Sequence, residues 1–306
     1  MAPKNQPINR RGIDMTFDTE TTRIGFIGLG VMGRSMAGHL LARGYDLSVY
    51  TRTPETAKDL TDKGAKWQAS PAELARNVDL VITMVGYPSD VEEVYLGDGG
   101  ILAHLAPGSM ALDMTTSDPA LAEKLHGLGA EKEIAVLDAP VSGGDLGARN
   151  ATLSIMVGGD KTDFDRALPI LEIMGENIVY QGKAGAGQHT KMSNQIAIAA
   201  GMVAMCESLA YAGKAGLDPE TVLASIGKGA AGSWSLNNLG PRILKGDYEP
   251  GFFVKHFIKD MGIALNSAKS MGLNTPGLEL AHSLYKRLAA QGGGDRGTQA
   301  LFQLFK

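Results

Sequence analysis

Four segments of this chain carry residues whose types and spacing could do chemistry. Gly28-Leu29-Gly30-Val31-Met32-Gly33 fits G-x-G-x-x-G. Such a string lets a pyrophosphate approach the backbone and opens a helix whose free N–H groups attract it. Asp138-Ala139-Pro140-Val141-Ser142-Gly143-Gly144 places a hydroxyl beside two glycine amides that can meet an anion. Lys191 and Asn194 stand three apart and share one helix face. A lysine near a domain junction can act as a general acid once burial lowers its pKa towards neutrality. Lys255-His256-Phe257-Ile258-Lys259-Asp260-Met261 forms a second basic spot late in the chain. Each segment alone also has a plain structural reading, as a turn or a solvated lysine.

The elements that must position these residues follow from the apolar pattern. Ile24, Phe26 and Ile27 end in Gly28, and Met32, Met36, Leu40 and Leu41 recur at helical spacing up to Gly44. Leu47, Val49 and Tyr50 alternate as a second strand. Further buried strands are predicted at 79–85, 111–114, 136–139, 153–157 and 178–180, mostly with helices between them. Apolar strands alternating with helices predict an α/β, Rossmann-type doubly wound N-terminal domain. After Gly187 the strands stop, and 189–215 reads as one long connecting helix of about 40 Å at 1.5 Å per residue. The expected organisation is a disordered lead-in over 1–22, a dinucleotide-binding domain over 23–186 and an all-α domain over 187–306.

The end of the second strand bears on the cofactor. A ribose 2′-hydroxyl is usually held by an acidic residue there, whereas a 2′-phosphate calls for arginine. The chain reads Thr51-Arg52-Thr53, with Asp46 at the opposite end of the strand. A guanidinium fork between two hydroxyls predicts NADP(H), with NAD(H) as the second choice.

Composition removes several function classes. The 306 residues carry 29 Lys and Arg against 33 Asp and Glu, a net charge of −4, and no basic stripe interleaved with aromatics. Nucleic-acid and anionic-membrane partners are therefore not expected. A single cysteine, Cys206, cannot form an intrachain disulfide, and the six histidines lack ligand spacing, so no metal is expected. The first 22 residues have no apolar core of a secretory signal, and a cytoplasmic protein is expected.

Taken together and in this order, the four segments resemble the β-hydroxyacid dehydrogenase family, in its 3-hydroxyisobutyrate dehydrogenase-like branch. The resemblance runs from Arg23 to Lys306. It implies an NAD(P)-dependent oxidoreductase acting on CH–OH groups of small carboxylate-bearing substrates. These would be of the 3-hydroxyisobutyrate, 2-hydroxy-3-oxopropionate, succinic semialdehyde or glyoxylate type. By the same resemblance Lys191 matches the catalytic lysine, and Asn194 the asparagine that positions the substrate. Ser142, Gly143 and Gly144 match the carboxylate-binding motif. Met84, Val85 and Thr116 match positions along the cofactor, and Lys259 a lysine near the nicotinamide. Trp234 falls where relatives shape the substrate pocket. Where many relatives read Met-Leu-Pro, this chain reads Met84-Val85-Gly86-Tyr87-Pro88. A homodimer or homotetramer is implied as well, with 187–306 as the substrate and dimerisation domain. The alternatives are a non-catalytic NADP(H)-binding sensor module or an imine reductase-like enzyme, although imine reductases generally lack the lysine standing here as Lys191.

Overall fold

The computed structural model describes residues 17–305. Its strands are β1 (Arg23–Ile27), β2 (Asp46–Tyr50), β3 (Lys66–Trp67), β4 (Leu80–Thr83) and β5 (Met110–Asp113). β6 (Ala135–Asp138), β7 (Val141–Ser142), β8 (Leu153–Gly158) and β9 (Gly175–Gly182) follow. They form one sheet in the order β3-β2-β1-β4-β5-β6-β8-β7, with β9 also paired to β8. β3 to β6 pair in parallel in that order, and β9 lies parallel to β8. β8 runs antiparallel to both β6 and β7.

Seven helices accompany the sheet: α1 (Gly33–Arg43), α2 (Lys58–Thr61), α3 (Pro71–Ala75), α4 (Pro88–Leu96), α5 (Pro119–Ala130), α6 (Gly144–Asn150) and α7 (Lys161–Leu171). Burial on both faces explains why β4 and β5 read as unbroken apolar runs: every residue of Leu80–Thr83 and Met110–Asp113 is buried. One core holds Phe26, Met36, Leu40 and Leu47. Another holds Leu74, Val81, Tyr95 and Leu125. Gly44 ends α1 in the left-handed region at φ 101°, donating its N–H to Leu40 and Leu41 carbonyls.

The remainder is helical: α8 (Ala186–Lys214), α9 (Pro219–Ile226), α10 (Trp234–Leu244), α11 (Val254–Ser270) and α12 (Pro276–Leu288), closed by a 3₁₀ stretch over Thr298–Phe305. Met192, Ala199, Met202, Cys206 and Leu209 of α8 form a third core with Phe257 and Met261 of α11 and with Ala281 and Tyr285 of α12. α8 has 29 residues and a mean hydropathy of 1.5 over its most apolar window, enough on length and composition to cross a membrane. Here it is the central helix of the third core.

Three expectations need correction. The lead-in expected over 1–22 fails for residues 17–22. Phe17 is buried, its carbonyl accepts from Tyr45 Oη at 3.0 Å, and Arg166 lies over its ring. Residues 1–16 lie outside the described residues. Two short strands, β3 and β7, were not expected, because two-residue strands are set by their partners and carry no periodicity of their own. The long helix starts at Ala186, ahead of the predicted 189, because Asp138 caps it from the sheet.

Candidate active site

The glycine turn joins β1 to α1. Gly28 has φ +98°, and a Cβ there would run into the Met84 carbonyl, so only glycine fits. Gly33 lets α1 lie against the turn, since its Cβ would meet the Gly28 carbonyl. At Gly30 the Cβ position opens onto free space. The N–H groups of Leu29, Gly30, Val31, Met32 and Gly33 have no partner among the described residues. Orphan donors at a helix start, facing open space, fit a dinucleotide pyrophosphate. Leu29 is buried, Met32 packs against the core, and Val31 is exposed.

Beyond the end of β2, Arg52 is exposed and its Nη1 lies 3.3 Å from Asp90 Oδ1. Asp90 also accepts the Tyr87 N–H at 3.0 Å through Oδ2. Thr51 Oγ1 and Thr56 Oγ1 are 3.2 Å apart, and the Thr53 carbonyl accepts from Thr56 Oγ1. No carboxylate stands among residues 51–53.

Next to the turn, the segments after β4 and β5 are tied together. Val85 N–H donates to Thr115 Oγ1 at 3.0 Å, and Met84 N–H donates to the Ile27 carbonyl. Asp113 Oδ1 accepts from Thr83 Oγ1 at 2.9 Å and from Thr115 N–H at 3.1 Å. Burial pushes the Asp113 carboxyl up to about 6 against those hydrogen bonds. Asp138 stands at the end of β6 and receives the Gly185 and Gln188 N–H groups, each at 2.8 Å. Burial raises this carboxyl, and the backbone donors oppose the rise.

The cap aims α8 into the site. Lys191, one turn in, is buried and forms no hydrogen bond or ion pair among the described residues. Burial brings its ammonium down to about 8, with Asp260 raising it and Lys259 lowering it. Gln195 Nε2 donates to Asp260 Oδ2 at 2.6 Å, and Asn194 Nδ2 donates to Gln195 Oε1 at 2.8 Å. Lys259 Nζ lies 3.0 Å from Asp260 Oδ1, off the line of a hydrogen bond, so that buried oxygen accepts none. The same Nζ donates to the Thr116 carbonyl at 2.8 Å. Tyr87 lies under Lys259 and 5.7 Å from the His256 ring, which packs edge-on against Phe253. Burial and then Lys259 hold His256 below the ordinary histidine range.

The structure therefore links Asn194, Lys259 and Thr116 through Gln195 and Asp260, and the Lys191 amine feels the charges of Asp260 and Lys259 in this network without bonding to it. Ser142 sits in β7, with Gly143 before α6 and Gly144 at its start. Among the described residues no hydrogen bond or ion pair joins these three to Lys191. Trp234 stands on the exposed first turn of α10, and no such bond joins it to the network. The sequence reading gave no role to Asp113, Asp138, Gln188 or Gln195. Their one visible signal is spacing, since Gln188 and Gln195 fall on the Lys191 face of a helix.

A parallel-dominated sheet with an open glycine turn, followed by helices that carry a buried lysine, defines a nucleotide-dependent oxidoreductase fold. A family profile for the NAD-binding domain of 6-phosphogluconate dehydrogenase matches residues 23–182. A second profile, described as NAD-binding of NADP-dependent 3-hydroxyisobutyrate dehydrogenase, matches residues 185–305. An uncharacterized oxidoreductase of Bacillus subtilis is 60% identical over 92% of this chain and 98% of its own. The NAD-dependent L-serine dehydrogenase of Pseudomonas aeruginosa is 37% identical over 92% of this chain and 97% of its own. The solved Mycobacterium tuberculosis 3-hydroxyisobutyrate dehydrogenase with L-serine superposes with a TM-score of 0.86 at 31% identity, covering 93% of this chain and 99% of that one. The chain belongs to the β-hydroxyacid dehydrogenase family, and it is an oxidoreductase acting on CH–OH groups.

Proposed function

We propose that the protein moves hydride between NADP(H), in preference to NAD(H), and a small β-hydroxy acid or its semialdehyde, with Lys191 as general acid and base. The observation that carries this reading is the Lys191 amine: in a buried residue, without a hydrogen bond or ion pair among the described residues, and brought down to about 8. The bound nicotinamide would supply or accept the hydride. In oxidation the neutral Nζ takes the proton of the substrate hydroxyl. In reduction the ammonium returns it to the developing alkoxide. Asn194 Oδ1 has no hydrogen bond among the described residues and would take a substrate hydroxyl. Ser142 with the Gly143 and Gly144 amides would hold the substrate carboxylate, which fixes the reacting carbon. Lys259, fastened to the Thr116 carbonyl, would hold the nicotinamide end, together with Met84 and Val85.

The NADP(H) preference rests on Arg52. Its pair with Asp90 is exposed, worth about 0–1 kcal/mol, and is readily exchanged for a 2′-phosphate. Arg52→Ala is expected to raise the KM for NADPH by about ten- to a hundredfold, the worth of a charge-assisted hydrogen bond, and to leave NADH nearly unchanged. The assay is cofactor oxidation with 2-hydroxy-3-oxopropionate, methylmalonate semialdehyde, succinic semialdehyde and glyoxylate. Turnover with one acid, weaker with NADH, supports the reading. Tight cofactor binding without turnover on any of them favours the sensor alternative.

A homodimer or homotetramer is supported by the large apolar side chains that the helical region leaves exposed, Tyr211, Leu217, Met271, Leu273 and Leu280, and by the partly exposed apolar helix α8. A cytoplasmic location fits the single, buried thiol of Cys206.

A further inference from the structure

Gln188 lies one turn before Lys191 on α8 and is fully buried. Its side chain does two things at once. Oε1 accepts the Ser117 N–H at 2.9 Å, and Nε2 donates to the Thr115 carbonyl at 2.7 Å. Its own N–H is held by Asp138 Oδ2. The two backbone groups it grips flank Thr116, whose carbonyl takes Lys259 Nζ. A primary amide offers a donor and an acceptor on one planar group, which a carboxylate or a thioether does not.

We infer that Gln188 is a positioning residue for the reaction: it locks Thr115–Ser117 to the helix that carries Lys191, so that the cofactor side and the proton-transferring amine keep one spacing. This rests on the reading of Lys191 and Thr116 given above. The two halves of the site come from different parts of the chain, 71 residues apart from Ser117 to Gln188. Thr115 and Ser117 are both buried, so without the amide a backbone N–H and a carbonyl lose their partners away from water. The segment must then shift, and Lys259 shifts with the carbonyl it is fastened to. Of the two charges that act on Lys191, Lys259 is displaced with that carbonyl, while Asp260 stays held by Gln195.

The test compares Gln188→Met, close in shape but without hydrogen bonds, with wild type and with Lys191→Ala. In the cofactor-free protein the Ser117 amide is expected to exchange with deuterium at least about tenfold faster in Gln188→Met, because its acceptor is gone. With the active substrate, kcat is expected to fall about ten- to a hundredfold, as for a misplacement of about 1 Å. Substrate KM stays near the wild-type value. Unchanged Ser117 exchange, or wild-type kcat, overturns the inference. If Gln188→Met does not fold, Gln188→Asn takes its place. Its amide is one methylene short and cannot reach Thr115 and Ser117 together, so Ser117 exchange rises and kcat falls; wild-type values of either overturn the inference equally. Failure of the lysine reading is separately visible, as turnover retained in Lys191→Ala, while the Ser117 exchange is read without cofactor or substrate.

Discussion

Lys191→Ala is expected to lower turnover by about 10²–10⁴-fold, the range for removing a positioned general acid–base group. Cofactor affinity should change little. The lysine side chain has no hydrogen bond or ion pair among the described residues, so its removal orphans no partner there and leaves the glycine turn untouched. Its electrostatic interaction with Asp260 is lost, while Lys259 Nζ remains 3.0 Å from Oδ1 of that buried carboxylate. Steady-state kinetics beside a direct titration with NADPH separates the two effects. A loss of binding in step with turnover would mean that the lysine holds cofactor and does not transfer the proton.

The largest effect on stability is expected at Asp138. This carboxylate takes the Gly185 and Gln188 N–H groups, which begin α8 and have no helical partner. In Asp138→Ala both donors stay buried and unmatched, at a cost of about 2–5 kcal/mol. The melting temperature should fall by about 5–15 °C for a domain of this size. Activity should fall as well, because the cap fixes where Lys191 enters the site. A melting curve like that of wild type would show that α8 is anchored by its packing on α11 and α12 alone.

Much of the fold is legible in the sequence. β1, the glycine turn, α1 and β2 follow from apolar runs and glycine spacing within about thirty residues, the scale on which local chemistry dictates structure. The antiparallel entry of β8 was not legible, because strand direction depends on which edge accepts the strand. Phe17 stands alone in a polar stretch, and its burial is created by Tyr45 and Arg166, distant in sequence. The site divides in the same way. Lys191, Asn194 and Lys259 were singled out as residues able to do chemistry. Asp138, Gln188, Gln195 and Asp113 act through partners supplied by other elements of the fold, such as Asp260, 65 residues beyond Gln195. Burial tells more about them than residue type: a carboxyl at about 6 is visible only once Asp113 is enclosed.

The central claim is that the Lys191 amine carries the proton, and the pH dependence of kcat/KM in both directions tests it most directly. Burial has lowered this amine to about 8, so the ammonium predominates below that value and the neutral amine above it. Carbonyl reduction needs the ammonium: its rate should be level below about pH 8 and then fall about tenfold per unit. Hydroxy-acid oxidation needs the neutral amine: its rate should climb to the same inflection and then level off. Mirror-image profiles that meet near 8, and vanish in Lys191→Ala, are the predicted result. Two profiles bending the same way, or an inflection that survives the substitution, would contradict it.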